Sequence, residues 1–136
     1  MPISTKPGFD GVSQVDVSSQ MIRDYQKIVI TGRLVYGNVQ ETKGKLSLNL
    51  ESAQGFIIDM SKLTFIDSTG LGLLMNLAKQ VYAKKKMIIM IVVDEFVREL
   101  FMIAKFDQVF CIVQSEQEAI NAFSTDSLLS LPIDQY

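Results

Sequence analysis

Apolar residues in the second half of the chain alternate between runs too short for helices and segments with helical spacing. Phe56-Ile57-Ile58-Asp59, Met87 to Val93 and Val109 to Val113 read as strands. Between the first two, Leu71, Leu74, Ala78 and Val81 fall on one helical face. That segment ends in Lys84-Lys85-Lys86, whose charge suits the carbonyl end of a helix. Asp94 is placed to cap a helix carrying Phe96, Val97, Leu100, Phe101 and Ile103, and Ser115 with Glu118 forms a capping box for a last helix through Phe123. Strand-helix alternation with nearly unbroken apolar strands implies parallel pairing through right-handed crossovers.

The first half is patterned differently. Val15 and Val17 alternate with polar neighbours, and Lys27-Ile28-Val29-Ile30-Thr31-Gly32 is β-branched, so both segments read as strands that pair across the polar stretch at Arg23 and Asp24. Tyr36-Gly37-Asn38 reads as a turn, and Asn38 followed by Glu41 as a helix start. Val39, Leu46, Leu50 and Ala53 keep a helical spacing, while Leu46, Leu48 and Leu50 alternate like a strand; a helix is the expectation. The fold class that follows is α/β: a single domain with a mixed, mainly parallel β-sheet of about four or five strands and helices packed mainly on one face. Residues 1–11 are expected to be a flexible N-terminal leader, 12–123 the domain, and 124–136 a C-terminal tail in which Leu128, Leu129, Leu131 and Ile133 are interspersed among polar residues.

Composition narrows the chemistry. The 136 residues suffice for one core, and 48% of them are apolar. A formal charge of −2 gives no source for the phosphate attraction that drives nucleic-acid binding, so no nucleic-acid partner is expected. Histidine is absent, which removes the commonest general base and metal ligand; no catalytic residue, cofactor or metal is expected. Cys111, within Val109-Phe110-Cys111-Ile112-Val113, is expected to be a buried, inert thiol. The start of the chain lacks a signal-peptide core, and no apolar stretch approaches the roughly 20 residues of a membrane span. A cytoplasmic protein without membrane association is the expectation.

One segment carries candidate chemistry. Phe65-Ile66-Asp67-Ser68-Thr69-Gly70-Leu71-Gly72 runs from an apolar pair into a helix, so Asp67 and Ser68 sit near its N-cap, where the first amides are unpaired. On its own the segment supports a plain reading: Asp67 or Ser68 caps the helix, worth about 1 kcal/mol, and the glycines permit a tight entry. The lysine and glycine spacing of a phosphate-binding P-loop are missing.

The string Asp59-Met60-Ser61-Lys62-Leu63-Thr64-Phe65-Ile66-Asp67-Ser68-Thr69-Gly70-Leu71-Gly72 strongly resembles the signature of the STAS family, in particular the stand-alone bacterial anti-sigma-factor antagonists. The likeness extends through Val97-Arg98-Glu99-Leu100-Phe101 and Ser115-Glu116-Gln117-Glu118-Ala119-Ile120. The resemblance implies that Ser68 is a phosphoacceptor, with Thr69 as runner-up. It also implies that Asp67, Ser68, Thr69, Gly70, Leu71 and Gly72, with Arg33 and Val35, form a partner-binding surface. The implied partners are an anti-sigma factor with serine kinase activity and a serine phosphatase, and a homodimer is left open. One position pair departs from the family: where antagonists usually show Gly-Glu-Leu-Asp, this chain has Gly32-Arg33-Leu34-Val35.

Three functional classes follow in order. The first is an antagonist that binds the anti-sigma factor when Ser68 is unmodified and releases it when Ser68 is phosphorylated. The second is a STAS scaffold or regulatory subunit, in a signalling assembly or beside a transporter, that binds partners without such a switch. Last comes an enzyme or a receiver-like phosphoacceptor. The first strand offers only Asp16 where a receiver needs an acidic pair for magnesium, and Ser68 has no histidine to activate it.

Overall fold

The computed structural model describes residues 15–133, and the side chains of residues 15–124. β1 (Val15–Ile22) and β2 (Tyr25–Leu34) form an antiparallel hairpin whose turn is Arg23-Asp24, with Arg23 at a φ of 56°. The remaining strands are β3 (Gly55–Asp59), β4 (Leu63–Ile66), β5 (Met87–Ile91) and β6 (Cys111–Val113). They join one sheet in the order β1-β2-β3-β5-β6, with β4 also on β2, and every pairing beyond the hairpin is parallel. Four α-helices accompany them in the described residues: α1 (Val39–Lys45), α2 (Ser68–Ala83), α3 (Glu95–Ile103) and α4 (Glu116–Ile133).

The ten-residue β2 is long enough to hold two partners in tandem on one edge. Tyr25 to Val29 pair with β3, and Gly32 to Leu34 pair with β4. The register shifts between Gly32 and Arg33, where Gly32 takes a φ of 101° that a side chain would strain.

Alternation along β3 and β5 sends side chains to two dry faces. Phe56, Ile58, Ile88 and Met90 join Leu74, Leu77 and Val81 of α2, Val97 and Phe101 of α3, and Val39 of α1 in the larger core. Ile57, Ile89 and Ile91 face the other way, against Ala119 and Phe123 of α4. Each such side chain contributes about 1.5 to 3 kcal/mol on burial. Burial on both faces is why these strands read as unbroken apolar runs. Three helices thus share one face and α4 covers the other. Tyr25 stacks on Phe123 at 4.1 Å, and a side chain at Gly55 would enter that ring. The start of α4 is tied to the sheet by Lys27, whose Nζ lies 2.5 Å from Glu116 and 3.4 Å from Asp59. The hydrogen bond to Glu116, followed by the two carboxylate charges against a desolvation penalty, raises the Lys27 pKa above the usual lysine value.

The three parallel strands of the second half, the hairpin and the caps at Asp94 and Ser115 are where the sequence places them. The Asp94 carboxylate accepts from the Val97 amide at 3.0 Å, and the Ser115 hydroxyl from the Glu118 amide at 3.1 Å. Several details differ. The described residues hold six strands, because Leu63–Ile66 forms its own short strand instead of serving only as a lead-in to α2. α1 stops at Lys45; Leu46, Leu48 and Leu50 follow as a half-buried loop packed on the core, held by Gln26, which accepts from the Asn49 amide and donates to the Ser47 carbonyl. β6 begins only at Cys111, and Cys111 is exposed, not buried: it lies on an edge strand with no outer neighbour among the described residues, and Phe110 fills the core position instead. α4 continues past Phe123 to Ile133, into the expected tail. The expected leader, residues 1–11, lies outside the described residues. No described helix is long and apolar enough to cross a membrane.

Candidate functional site

The parallel ends of β2 and β4 bring the Asp67 segment against residues 33–36. Leu34 pairs with Ile66, and the Asp67 amide donates to the Leu34 carbonyl at 3.2 Å. Asp67 is extended (φ −112°, ψ −175°) and caps α2: one carboxylate oxygen accepts from the Gly70 amide at 3.0 Å. The other accepts from the Tyr36 amide at 2.9 Å, so a single carboxylate joins the helix entry to the end of β2. This settles which residue is the cap. Ser68, one position on, is the first helical residue and is exposed, while Thr69 is half-buried. With the Gly70 and Leu71 amides committed to Asp67, the Ser68 and Thr69 amides remain as the open donors of the first turn.

The two glycines of the motif have separate roles. A methyl group at Gly70 would lie 2.6 Å from the Leu34 carbonyl oxygen and 2.7 Å from Cγ1 of Ile66, so its missing side chain is required by the β2–α2 packing. Gly72 is exposed, with nothing within 4 Å of where a methyl would stand. It borders a shallow groove between α1 and α2 that Lys43, Thr69 and Asn76 also line. Leu71 is half-buried against the core and Leu74 fully buried.

Arg33 and Val35 flank the corner unequally. Val35 is buried. Arg33 is half-buried, and its guanidinium carbon lies 4.6 Å from the centre of the Phe65 ring, which in turn stacks on Phe96 of α3 at 5.5 Å. The sequence does not single out Asn38 for its role here. Buried to 1% exposure, it donates to the Arg33 carbonyl at 2.7 Å and accepts from the Val35 amide at 3.0 Å, fixing the bend that presents Tyr36 to Asp67. Its only sequence signal, the spacing to Glu41, points to a helix cap; the Asn38 side chain makes no such bond. Tyr36, 79% exposed, and Phe96 also stand beside the corner without a signal in the motif.

The corner offers an exposed hydroxyl, two unspent amides, a side-chain-free helix surface and a ring-held cation. Among the described residues no group of histidine, cysteine, aspartate or glutamate side chains is arranged to hold a metal.

Comparison with known proteins gives a consistent picture. The family model described as the STAS domain matches residues 11–119. BtrV of Bordetella bronchiseptica, named as an anti-sigma factor antagonist, is 26% identical over 89 residues, covering 65% of this chain and 77% of that protein. An anti-sigma factor antagonist from Mycobacterium paratuberculosis has a similar structure, with a TM-score of 0.74 at 14% identity over 81% of this chain and 94% of that one. SpoIIAA of Bacillus, solved in its phosphorylated form, gives a TM-score of 0.60 at 22% identity over 79% and 99% of the two chains. The unphosphorylated form gives 0.61 at 21% over 80% and 98%.

Proposed function

The chain belongs to the STAS-domain family, and on that premise we propose that it is an anti-sigma-factor antagonist acting in the cytoplasm through the Ser68 corner. In this reading it binds an anti-sigma factor with serine kinase activity while Ser68 is unmodified. Phosphorylation of Ser68 releases that partner, and a serine phosphatase restores the binding form. The observation that carries the reading is the exposed Ser68 hydroxyl at the first position of α2, one turn before Gly72, where an added methyl would meet no other described residue within 4 Å. BtrV and the Mycobacterium protein are named as antagonists, and SpoIIAA exists in both phosphorylation states; these relatives support the reading.

The physics of such a switch is local. A phosphate on Ser68 adds about −1.5 to −2 charges at neutral pH. The open Ser68 and Thr69 amides and the helix dipole soften that charge within the chain. A partner surface fitted to a neutral hydroxyl faces a desolvated dianion, so binding is lost while the fold persists. Gly72 admits a partner's backbone close to α2, and Thr69, Leu71 and Arg33 border the same contact; Asp67 and Gly70 hold its shape.

The test is affinity capture from the source cell with wild type and Ser68→Asp, followed by mass spectrometry and phosphosite mapping of the native protein. Recovery of a kinase-like ATPase by wild type alone, and a Ser68→Ala protein that binds but cannot be phosphorylated, are the expected results. Ser68 unmodified under every growth condition, with equal binding by wild type and Ser68→Asp, would replace the switch with a STAS scaffold or subunit that binds constitutively.

A further inference from the structure

Arg33 is a held cation without an anion. Its guanidinium carbon stands 4.6 Å from the centre of the Phe65 ring, and Phe65 is backed in turn by Phe96 of α3. No carboxylate among the described residues pairs with it, and it donates no hydrogen bond to any of them. The Arg33 Nε is buried, so the half-buried side chain reaches the surface through its two terminal nitrogens, as a planar fork steadied by the ring beneath.

We infer that Arg33 sets the specificity of the partner contact by taking one carboxylate, from a glutamate or aspartate side chain of the anti-sigma factor; this rests on the function proposed above. The surroundings select the occupant. Leu34 and Ile66 both point at Gly70 of α2, so their in-register neighbours Arg33 and Phe65 project from the other side of the β2–β4 pair. A phosphate on Ser68, at the α2 side, is therefore not the anion that Arg33 serves. Arg33 is also the only basic residue in the two segments that meet at the corner, 33–36 and 63–72, too little positive charge for a nucleic acid or a phosphate-rich surface. The other charged residue of those segments is Asp67, whose two oxygens are spent on the Gly70 and Tyr36 amides. A lone planar fork matches a single carboxylate, bound through two parallel hydrogen bonds, and repels a basic residue placed at the same point. A partner seated over Ser68 and the exposed Tyr36 meets that fork at the rim of the contact.

The test uses each anti-sigma-factor kinase encoded by the source organism, purified separately and titrated calorimetrically with the full chain. Against the kinase that binds wild type, Arg33→Glu should bind at least about 100-fold more weakly, and Arg33→Met, which keeps an unbranched chain on Phe65, about 10-fold. Circular dichroism of both variants should match wild type. Wild-type affinity should fall with added salt more steeply than that of Arg33→Met. Reversing the kinase's acidic residues to arginine one at a time should yield one kinase variant that binds Arg33→Glu and has lost wild type, an exchange that misfolding does not produce. Binding of Arg33→Glu or Arg33→Met within about twofold of wild type, well inside the effect of losing a charged pair, overturns the proposal. So does a full set of reversals in which none rescues Arg33→Glu, or an Arg33-dependent self-association in ultracentrifugation, which would give the cation to a second copy. If no kinase binds wild type, the antagonist function fails and takes this role of Arg33 with it, an outcome told apart because it is seen before any Arg33 variant is used.

Discussion

Gly70 and Gly72 are separated by one residue in the same helix, yet a methyl group added at each meets opposite surroundings. At Gly72 it enters open space. Replacing a glycine inside a helix by alanine gains about 0.5 to 1 kcal/mol, because the unfolded chain loses more freedom than the folded one. For a domain of this size that raises Tm by about 2 to 5 °C. At Gly70 the methyl stands 2.6 Å from the Leu34 carbonyl oxygen, about 1 Å inside a comfortable contact. That oxygen cannot retreat freely, since it also accepts the Asp67 amide, and Cγ1 of Ile66 closes the other side at 2.7 Å. Overpacking of this kind costs about 1 to 3 kcal/mol, more than alanine returns at the first turn of a helix. Urea unfolding of wild type, Gly70→Ala and Gly72→Ala should therefore give midpoints on opposite sides of wild type, with unfolding free energies of the two variants about 1.5 to 4 kcal/mol apart at unchanged slope. A Gly70→Ala protein as stable as wild type, or a Gly72→Ala protein less stable, would refute the assignment of packing to one glycine and partner access to the other. In the proposed function Gly72→Ala also weakens partner binding while stabilising the fold, a combination that simple misfolding does not produce.

Asn38→Ala leaves the Arg33 carbonyl and the Val35 amide without their buried partner and should cost about 2 to 4 kcal/mol in urea unfolding; a loss under about 0.5 kcal/mol would show that water replaces the side chain at no penalty. Because the folded-state pKa of Lys27 is raised, the stability it contributes is present below the ordinary lysine value of 10.5 and lost as pH climbs through the higher folded value. The stability difference between wild type and Lys27→Met should therefore be flat through neutral pH and shrink above 10.5; a difference already shrinking below pH 9 would contradict the ion tie to Glu116 and Asp59. Burial, with a smaller contribution from Cys111, raises the Tyr82 phenol above its usual 10.0, and its hydroxyl donates to the Val109 carbonyl at 2.7 Å. Ultraviolet titration should show one late-ionising tyrosine that disappears in Tyr82→Phe, and an unchanged curve in that variant would rule the assignment out.

The elements whose signals are local were legible in the sequence. The β3, β5 and β6 runs, the Asp94 and Ser115 caps and the β1–β2 hairpin each depend on residues close together in the chain. What escaped depends on distant neighbours. β4 is a strand because the Gly32 bulge frees the end of β2 to pair with it, and four residues of mixed character give no periodicity of their own. The spacing of Val39, Leu46, Leu50 and Ala53 suits a helix, but the loop after Lys45 half-buries Leu46, Leu48 and Leu50 by lying along the core, and Gln26 holds it there. Cys111 carries the apolar context of a buried residue at a sheet edge that has no outer strand among the described residues. At the corner, the motif marked Asp67 and Ser68 but could not separate Gly70 from Gly72. That distinction comes from the Leu34 carbonyl, reached only through the tertiary fold.

The Asp67 carboxylate that bridges Gly70 and Tyr36 accepts from a backbone amide 31 residues earlier in the chain. A short peptide copied from residues 60–75 contains the aspartate and the serine but neither the Tyr36 amide nor the Leu34 carbonyl that set their geometry. In the proposed function the corner is therefore a conformational epitope, and an enzyme or partner that reads it would register finished molecules. On that reading, nascent chains still on the ribosome, unfolded copies and proteolytic fragments would be silent, and the effective dose of the protein in a cell would be its folded concentration, which chaperones and proteases control as surely as transcription does.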